Sequence, residues 1–282
     1  MKKLMKLFLF LYVFAQASFV NASFMTSLAG GEDERVNKVV VRLDNAGELE
    51  DKVPENVWLD VVDTLKIIGP LNSYDLRWVR MLCGSDEYGA LIPKTLKRLD
   101  LSEASFVSNG DTSDSYYIFT DDLGKDRKYF VDGAKATLLP EKLFFKCCSI
   151  ESIVLPKYIR ELGIGAFFKC VKLKEVVIPD EVTEIQHTVF GVCDALETIK
   201  LPSQLKTMGN YVFTYCTNLK EVVIPEGVTK INKRTFDETP KMKKLTLPKS
   251  LREFSIEAFF GANGLEEIQI PEGITVLPEG SF

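Results

Sequence analysis

The chain has 282 residues, 46% of them hydrophobic, and a formal net charge of −5. That apolar content excludes disorder for the chain as a whole. The acidic balance argues against a phosphate-binding role, since nucleic-acid affinity rests on lysine and arginine neutralising phosphates.

Residues 1–22 read as a secretory signal. Lys2, Lys3 and Lys6 form a basic start, and Leu7 to Phe14 an apolar stretch. Two small-x-small cleavage sites follow, Ala15-Gln16-Ala17 and Val20-Asn21-Ala22, the second favoured. The apolar core falls far short of the roughly 20 residues that span a bilayer. Removing the signal takes three lysines and no acid, which moves the net charge from −5 to −8. The mature chain is expected to be exported (secreted, periplasmic or at the cell surface) with no transmembrane segment.

Residues 23–37 are polar and acidic, a flexible lead-in. Residues 38–95 are expected to form an N-terminal cap. Within it, Val39–Leu43 reads as a strand and Ala46–Asp51 as a short helix. A second helix runs from Tyr74, N-capped by Asn72 or Ser73, with Leu76, Val79 and Cys83 on one face. Leu96–Ala104 reads as a further strand. Residues 105–128 interrupt the pattern: Ser108–Ser115 is a loop by composition, and Tyr116, Tyr117 and Phe119 suit an added strand. Asn109, Asp111 and Asp114 in that loop fail the spacing of a calcium loop.

From Ile150 the chain repeats itself every 23 residues, six times, starting at Ile150, Leu173, Leu196, Leu219, Met242 and Leu265. Positions 1, 4 and 6 of each copy are apolar, as in Leu173, Val176 and Ile178, the alternation of a half-buried strand. Proline at position 7 (Pro156, Pro179, Pro202, Pro225, Pro248, Pro271) ends that strand, because it has no N–H for a ladder. Positions 10 and 13, such as Val182 and Ile185, turn a second extended segment inward. Phenylalanine at position 18 (Phe167, Phe190, Phe213, Phe236, Phe259, Phe282) fills the coil. A fixed period of this size means a solenoid of stacked coils, paired strand on strand in parallel.

The pattern L-x-x-[IV]-x-[IL]-P-x-x-[LIV]-x-x-[IL]-x-x-x-x-F-x-x-C resembles the BspA-like leucine-rich repeats of bacterial exported and surface proteins. The resemblance covers residues 127–282, and Leu65–Asn72 with the helix after it is similar to the segment that opens such arrays. It implies an α/β-type repeat solenoid: a leucine-rich-repeat stack over residues 96–282 with a parallel β-ladder, mostly strand and coil, behind an α+β cap. It also implies adhesion and protein interaction. The chain stops at position 18 of its sixth copy without a polar capping unit, which suggests a fragment of a longer protein.

Cys147, Cys170, Cys193 and Cys216 recur at the period, one above another. Metal-binding cysteines usually come as close pairs in a short loop, so buried free thiols acting as small hydrophobes are preferred, with disulfides between rungs left open. Cys83 and Cys148 lie outside this ladder. His187 is the only histidine, with no nucleophile signature beside it, so no catalysis, cofactor or metal is expected.

The outward strand positions are the candidate binding residues. Position 5 reads Val154, Val177, Lys200, Val223, Thr246 and Gln269; position 3 includes Glu175 and Glu221. Three valines in that line reflect either strand propensity or an apolar stripe for a partner. The expected function is a protein-binding, adhesion-type scaffold acting through its sheet face, with a host or cell-surface protein as partner and no nucleic acid. The alternative is a carbohydrate-binding accessory protein, which the absence of outward aromatic residues disfavours.

Overall fold

Apolar positions at a 23-residue spacing can all be buried only if successive coils lie directly on one another. The computed structural model shows that stack, and it describes residues 38–54, 57, 62–85, 91, 94–107, 116–120, 126–130, 136–266 and 268–281. The expected signal, lead-in and calcium-loop candidates lie outside the described residues.

Each coil has three walls. The first is a parallel ladder built from β1 (Lys38–Arg42), β2 (Thr64–Leu71), β3 (Arg98–Phe106), β7 (Ser152–Val154) and β9 (Glu175–Val177), continued by β11 (Thr198–Ile199), β13 (Glu221–Val223) and β15 (Lys244–Thr246). The paired repeats β7–β9, β11–β13 and β13–β15 are in register at 23 residues, as in Ser152 beside Glu175 and Glu221 beside Lys244. Pairing runs through position 6, where Leu155 N–H donates to the Val177 carbonyl at 3.1 Å. It then stops at the proline, whose carbonyl turns the chain by accepting from position 10, as in Val182 N–H to Pro179 at 3.1 Å. The ladder reaches further back than the repeat pattern, since β1 and β2 from the expected cap form its first two rungs.

The second wall stacks β6 (Leu138–Leu139), β8 (Glu161–Leu162), β10 (Glu184–Ile185) and β12 (Thr207–Met208), then β14 (Lys230–Ile231) and β16 (Glu253–Phe254). In chain order between β3 and β6, β4 (Tyr116–Thr120) and β5 (Asp126–Phe130) pair antiparallel with each other, so the expected added strand pairs locally rather than in the stack.

The third wall is made of turns. Its backbone amides donate from coil to coil at every second residue: Gly165 to His187, Phe167 to Val189 and Lys169 to Gly191, each at 2.9 Å. Presenting alternate N–H groups this way puts the residue two before and the residue two after each phenylalanine into the left-handed region. Ten of these are not glycine, with φ between 50° and 63°, Thr188 and Val192 among them. Inside, the phenylalanines stack face to face: Phe144, Phe167, Phe190, Phe213, Phe236 and Phe259 are spaced 5.2–5.8 Å with interplanar angles of 3–13°. All are buried, each contributing about 1.5–3 kcal/mol of apolar transfer.

At the N-terminal end, α1 (Leu49–Lys52) and α2 (Ser73–Leu82) cover the coils. Asn72 caps α2 in a reciprocal box with Asp75. Buried Asp75 also accepts from Gly47 N at 2.6 Å and Leu49 N at 3.0 Å, tying the two helices together.

Candidate functional site: the outward face of the parallel ladder

In a strand buried on one face, alternate residues must point away from the core. In β9, Val176 is buried while Glu175 and Val177 are exposed; β13 repeats this, with Val222 buried and Val223 exposed. The exposed fractions are 45% for Val177 and 51% for Val223. Val154 is half-buried between Asp100 and Val177 on the neighbouring rungs. Lys200, just past β11, and Thr246 and Gln269 are exposed. Register sets Val154 beside Val177 and Val223 beside Thr246, while Lys200 and Gln269 keep the 23-residue spacing outside the described strand pairs.

The line is longer than the repeats suggested. Register carries it back through Asp100 and Lys66 to Val40, which is 46% exposed. Lys66 is ion-paired with Glu103 at 2.6 Å and Asp100 at 3.4 Å. The hydrogen bond that Lys66 donates to Glu103 is the main reason its amine is held above its ordinary pKa. Sequence reasoning missed these three residues because the spacing between rungs is irregular before Ile150; the alternation in Val39–Leu43 was the available signal.

Charges beside the line pair between coils. Glu175 accepts from Ser152 Oγ at 3.3 Å, and Glu221 is bridged to Lys244 at 2.6 Å. One position earlier, Lys174 reaches Glu151 at 2.7 Å and Lys220 reaches Glu197 at 2.6 Å. The Lys174 hydrogen bond holds Glu151 below the ordinary carboxylate pKa, and Lys220 does the same for Glu197. The stripe is therefore apolar at Val177 and Val223 and flanked by self-satisfied ion pairs.

The other candidates resolve into structure. His187 is exposed, and its Nδ1 accepts from the Asn210 amide at 2.8 Å, an inter-coil bond that occupies one ring nitrogen. It lines a shallow cleft of about 320 Å3 with Glu184, Gln186, Met208 and Asn232. No cluster of three potential metal ligands occurs among the described residues. Cys147, Cys170, Cys193 and Cys216 are buried free thiols. Three donate to the phenylalanine carbonyl of the coil before: Cys170 to Phe144 at 2.8 Å, Cys193 to Phe167 at 3.2 Å, Cys216 to Phe190 at 3.0 Å. Thr239, in the same column, bonds to Phe236 of its own coil instead. Cys83, at the C-cap of α2, lies outside this column as expected but close to its first member: the Arg80 carbonyl accepts from the Cys83 amide at 3.0 Å and lies 4.0 Å from Cys147 Sγ.

The model of the BspA type leucine-rich repeat region matches six copies, over residues 137–266 and 229–282, just over half of the chain. The chain belongs to the BspA type leucine-rich repeat family. Repeat scaffolds of this family generally mediate protein interactions and are generally non-catalytic. No curated protein matches the chain. Among solved structures, it is similar to a leucine-rich repeat protein of T. pallidum (26% identity, 49% of this chain and 75% of that one, TM-score 0.41). It is also similar to one from Bacteroides ovatus (28% identity, 58% of this chain and 48% of that one, TM-score 0.47). A leucine-rich cell surface protein of Faecalibacterium prausnitzii is similar at 17% identity, over 71% of this chain and 62% of that one, with a TM-score of 0.39. No helix among the described residues of this BspA-type chain is long and apolar enough to cross a membrane.

Proposed function

We propose that this protein is an exported, non-catalytic scaffold that binds a protein partner at the cell surface through the outward face of its first wall. The observation that carries the reading is the exposure of Val177 and Val223 on strands that each pair in register with their neighbouring coils. Solenoids use such extended faces to dock partners, and a branched apolar side chain that half faces water gains most from being covered. The ion pairs beside the stripe satisfy one another, so a partner need not neutralise them. The outward positions offer no aromatic platform for a sugar ring, and nothing here favours the carbohydrate reading.

The test places a photo-crosslinking residue at Val177 and, as a control, at Tyr215, which is 50% exposed on the third wall. Crosslinking of a cell-surface protein from position 177, abolished when Val223→Glu is added with the melting temperature unchanged, is the expected result. Crosslinking from position 215 alone, or crosslinking at 177 that survives Val223→Glu, removes the sheet face from consideration. Export is checked separately by N-terminal sequencing of the secreted chain, which should begin at Ser23.

A further inference from the structure

Away from the sheet face, the buried cysteines are the reactive groups to which no role has been given. Cys147, Cys170, Cys193 and Cys216 look at first like a column of potential disulfides, one per coil. In-register parallel chains hold equivalent atoms near the interstrand spacing of about 4.8 Å. That exceeds the mean Cβ separation of about 3.8 Å in a disulfide. Cys170, Cys193 and Cys216 also spend their S–H on a phenylalanine carbonyl of the neighbouring coil. Like cysteines stacked in register are poorly placed to join each other.

Cys83 is placed differently. It caps the C-terminus of α2 and so reaches the column from outside its register. The Arg80 carbonyl sits between the two residues, accepting from the Cys83 amide at 3.0 Å and lying 4.0 Å from Cys147 Sγ, and both cysteines are fully buried. The backbones around them are fastened together. Ser149 N–H donates to the Cys83 carbonyl at 3.2 Å, and Cys148 Sγ lies 3.1 Å from the Gly84 carbonyl. A Cβ on Gly84 would stand 2.6 Å from Ser149 Oγ, which shows how closely the two segments approach. The contact also joins two separate parts of the fold, the helix of the N-terminal region and the first turn of the third wall.

We propose that Cys83 and Cys147 are a disulfide-forming pair that fastens α2 to the first coil, while Cys170, Cys193 and Cys216 remain thiols. The oxidant is a disulfide of the surroundings, small or protein-borne. One cysteine thiolate attacks it, releasing one thiol and leaving a mixed disulfide; the second cysteine thiolate then displaces the other half as a second thiol. The Cys83–Cys147 S–S bond forms, two electrons pass to the oxidant, and its two sulfur atoms take up two protons. The neighbouring Cys147 thiol and, after it, burial push the Cys83 thiol well up and keep it protonated in the folded chain. Exchange therefore belongs to the folding chain, before the site closes. The pairing rests on this geometry alone and is independent of what the sheet face binds.

The experiment refolds the full chain from denaturant in a mixture of reduced and oxidised glutathione, then labels thiols after denaturation without reductant. Of the six cysteines, four should label, and peptide mapping should return one linked pair, Cys83 with Cys147. The oxidised protein should melt on the order of 10 °C above the reduced one, because the bond closes a loop of roughly 65 residues. Six labelled thiols, a bond between any other pair, or a lower melting temperature on oxidation would overturn the assignment. A Cys83→Ser chain keeps a small hydroxyl against Cys147; it should retain all five of its thiols and lose the oxidation-dependent melting shift. A disulfide formed by that variant would equally overturn it.

Discussion

The rings of Phe190 and Phe213 lie 5.6 Å apart and within 6° of parallel, one coil above the other, with Phe236 continuing the stack at 5.5 Å. Each ring is the ceiling of one coil and the floor of the next. Phe213→Ala therefore opens a cavity shared by three coils and should cost about 3–5 kcal/mol. His187→Ala removes one exposed acceptor for the Asn210 amide and should cost about 0.5–1.5 kcal/mol. Urea titrations of both variants check the contrast; equal midpoints would contradict the shared-cavity account.

Close approach of backbone to backbone governs a second pair of changes. A Cβ on Gly209 would stand 2.5 Å from the His187 nitrogen, which has no room to move because it belongs to the coil below. Gly209→Ala should destabilise by about 1–3 kcal/mol. Val192 presents the opposite case: a β-branched residue at φ 58°. Val192→Asn places there a residue that tolerates the left-handed region, and should stabilise by about 1 kcal/mol. Calorimetry on the two variants should show melting shifts of opposite sign.

The cysteine column makes the reduced solenoid sensitive to alkali. Burial pushes the Cys216 thiol from 9.0 up to about 12, and Cys170 and Cys193 in the same direction. Because the folded value is the raised one, this stability is fully present below pH 9.0 and is lost as pH rises from 9.0 toward about 12. Cys216 alone should account for about 2 kcal/mol by pH ~10.5. Urea midpoints at about pH 8 and about pH 10.5 test this, and Cys216→Ala should narrow the difference between them.

Acid acts on the inter-coil ion pairs. Hydrogen bonds from Lys174, Lys220 and Arg234 hold Glu151, Glu197 and Glu257 below the ordinary 4.5. Depressed folded values give stability present above pH 4.5 and lost as pH falls through the folded pKa of each. The melting temperature should drop below pH 4.5 and, because these pairs are exposed, should also fall slightly in ~1 M salt at neutral pH. A melting curve indifferent to both would show that the pairs contribute nothing.

How much of this was legible in the sequence follows from what leaves a periodic trace. Leu173, Val176 and Ile178 announce a buried strand, Pro179 its end and Phe190 the coil interior, and each sits where the spacing put it. The third wall left no such trace. Its left-handed turns are held by Thr188, Val192, Tyr211 and Tyr215, residue types that ordinarily avoid that conformation, so only the stacked backbone reveals them. The approach of Cys83 to Cys147 leaves no trace in the sequence, because the two are 64 residues apart along the chain, across a segment with no repeat. The outward line was legible at Val177 and Val223; its extension to Val40 needed the register between β1, β2 and β3.

The inter-coil ion pairs have a bearing on how such a chain finds its order. Near-identical units invite mistakes, since a coil that loops out leaves two others free to stack with the same apolar contacts. Position 2 reads Glu151, Lys174, Glu197, Lys220, Lys243 and Glu266, so the sign alternates over the first four copies, and Lys97 precedes Glu151 on the same side. Omitting the coil of Glu151 would set Lys97 against Lys174; omitting the next would set Glu151 against Glu197; omitting the third, Lys174 against Lys220. Each skip trades an attraction for a repulsion between charges a few ångströms apart. The alternation thus works like a parity check over the first coils of the array, from Lys97 to Lys220: it adds little to the finished stack and penalises assembly with one of those units missing.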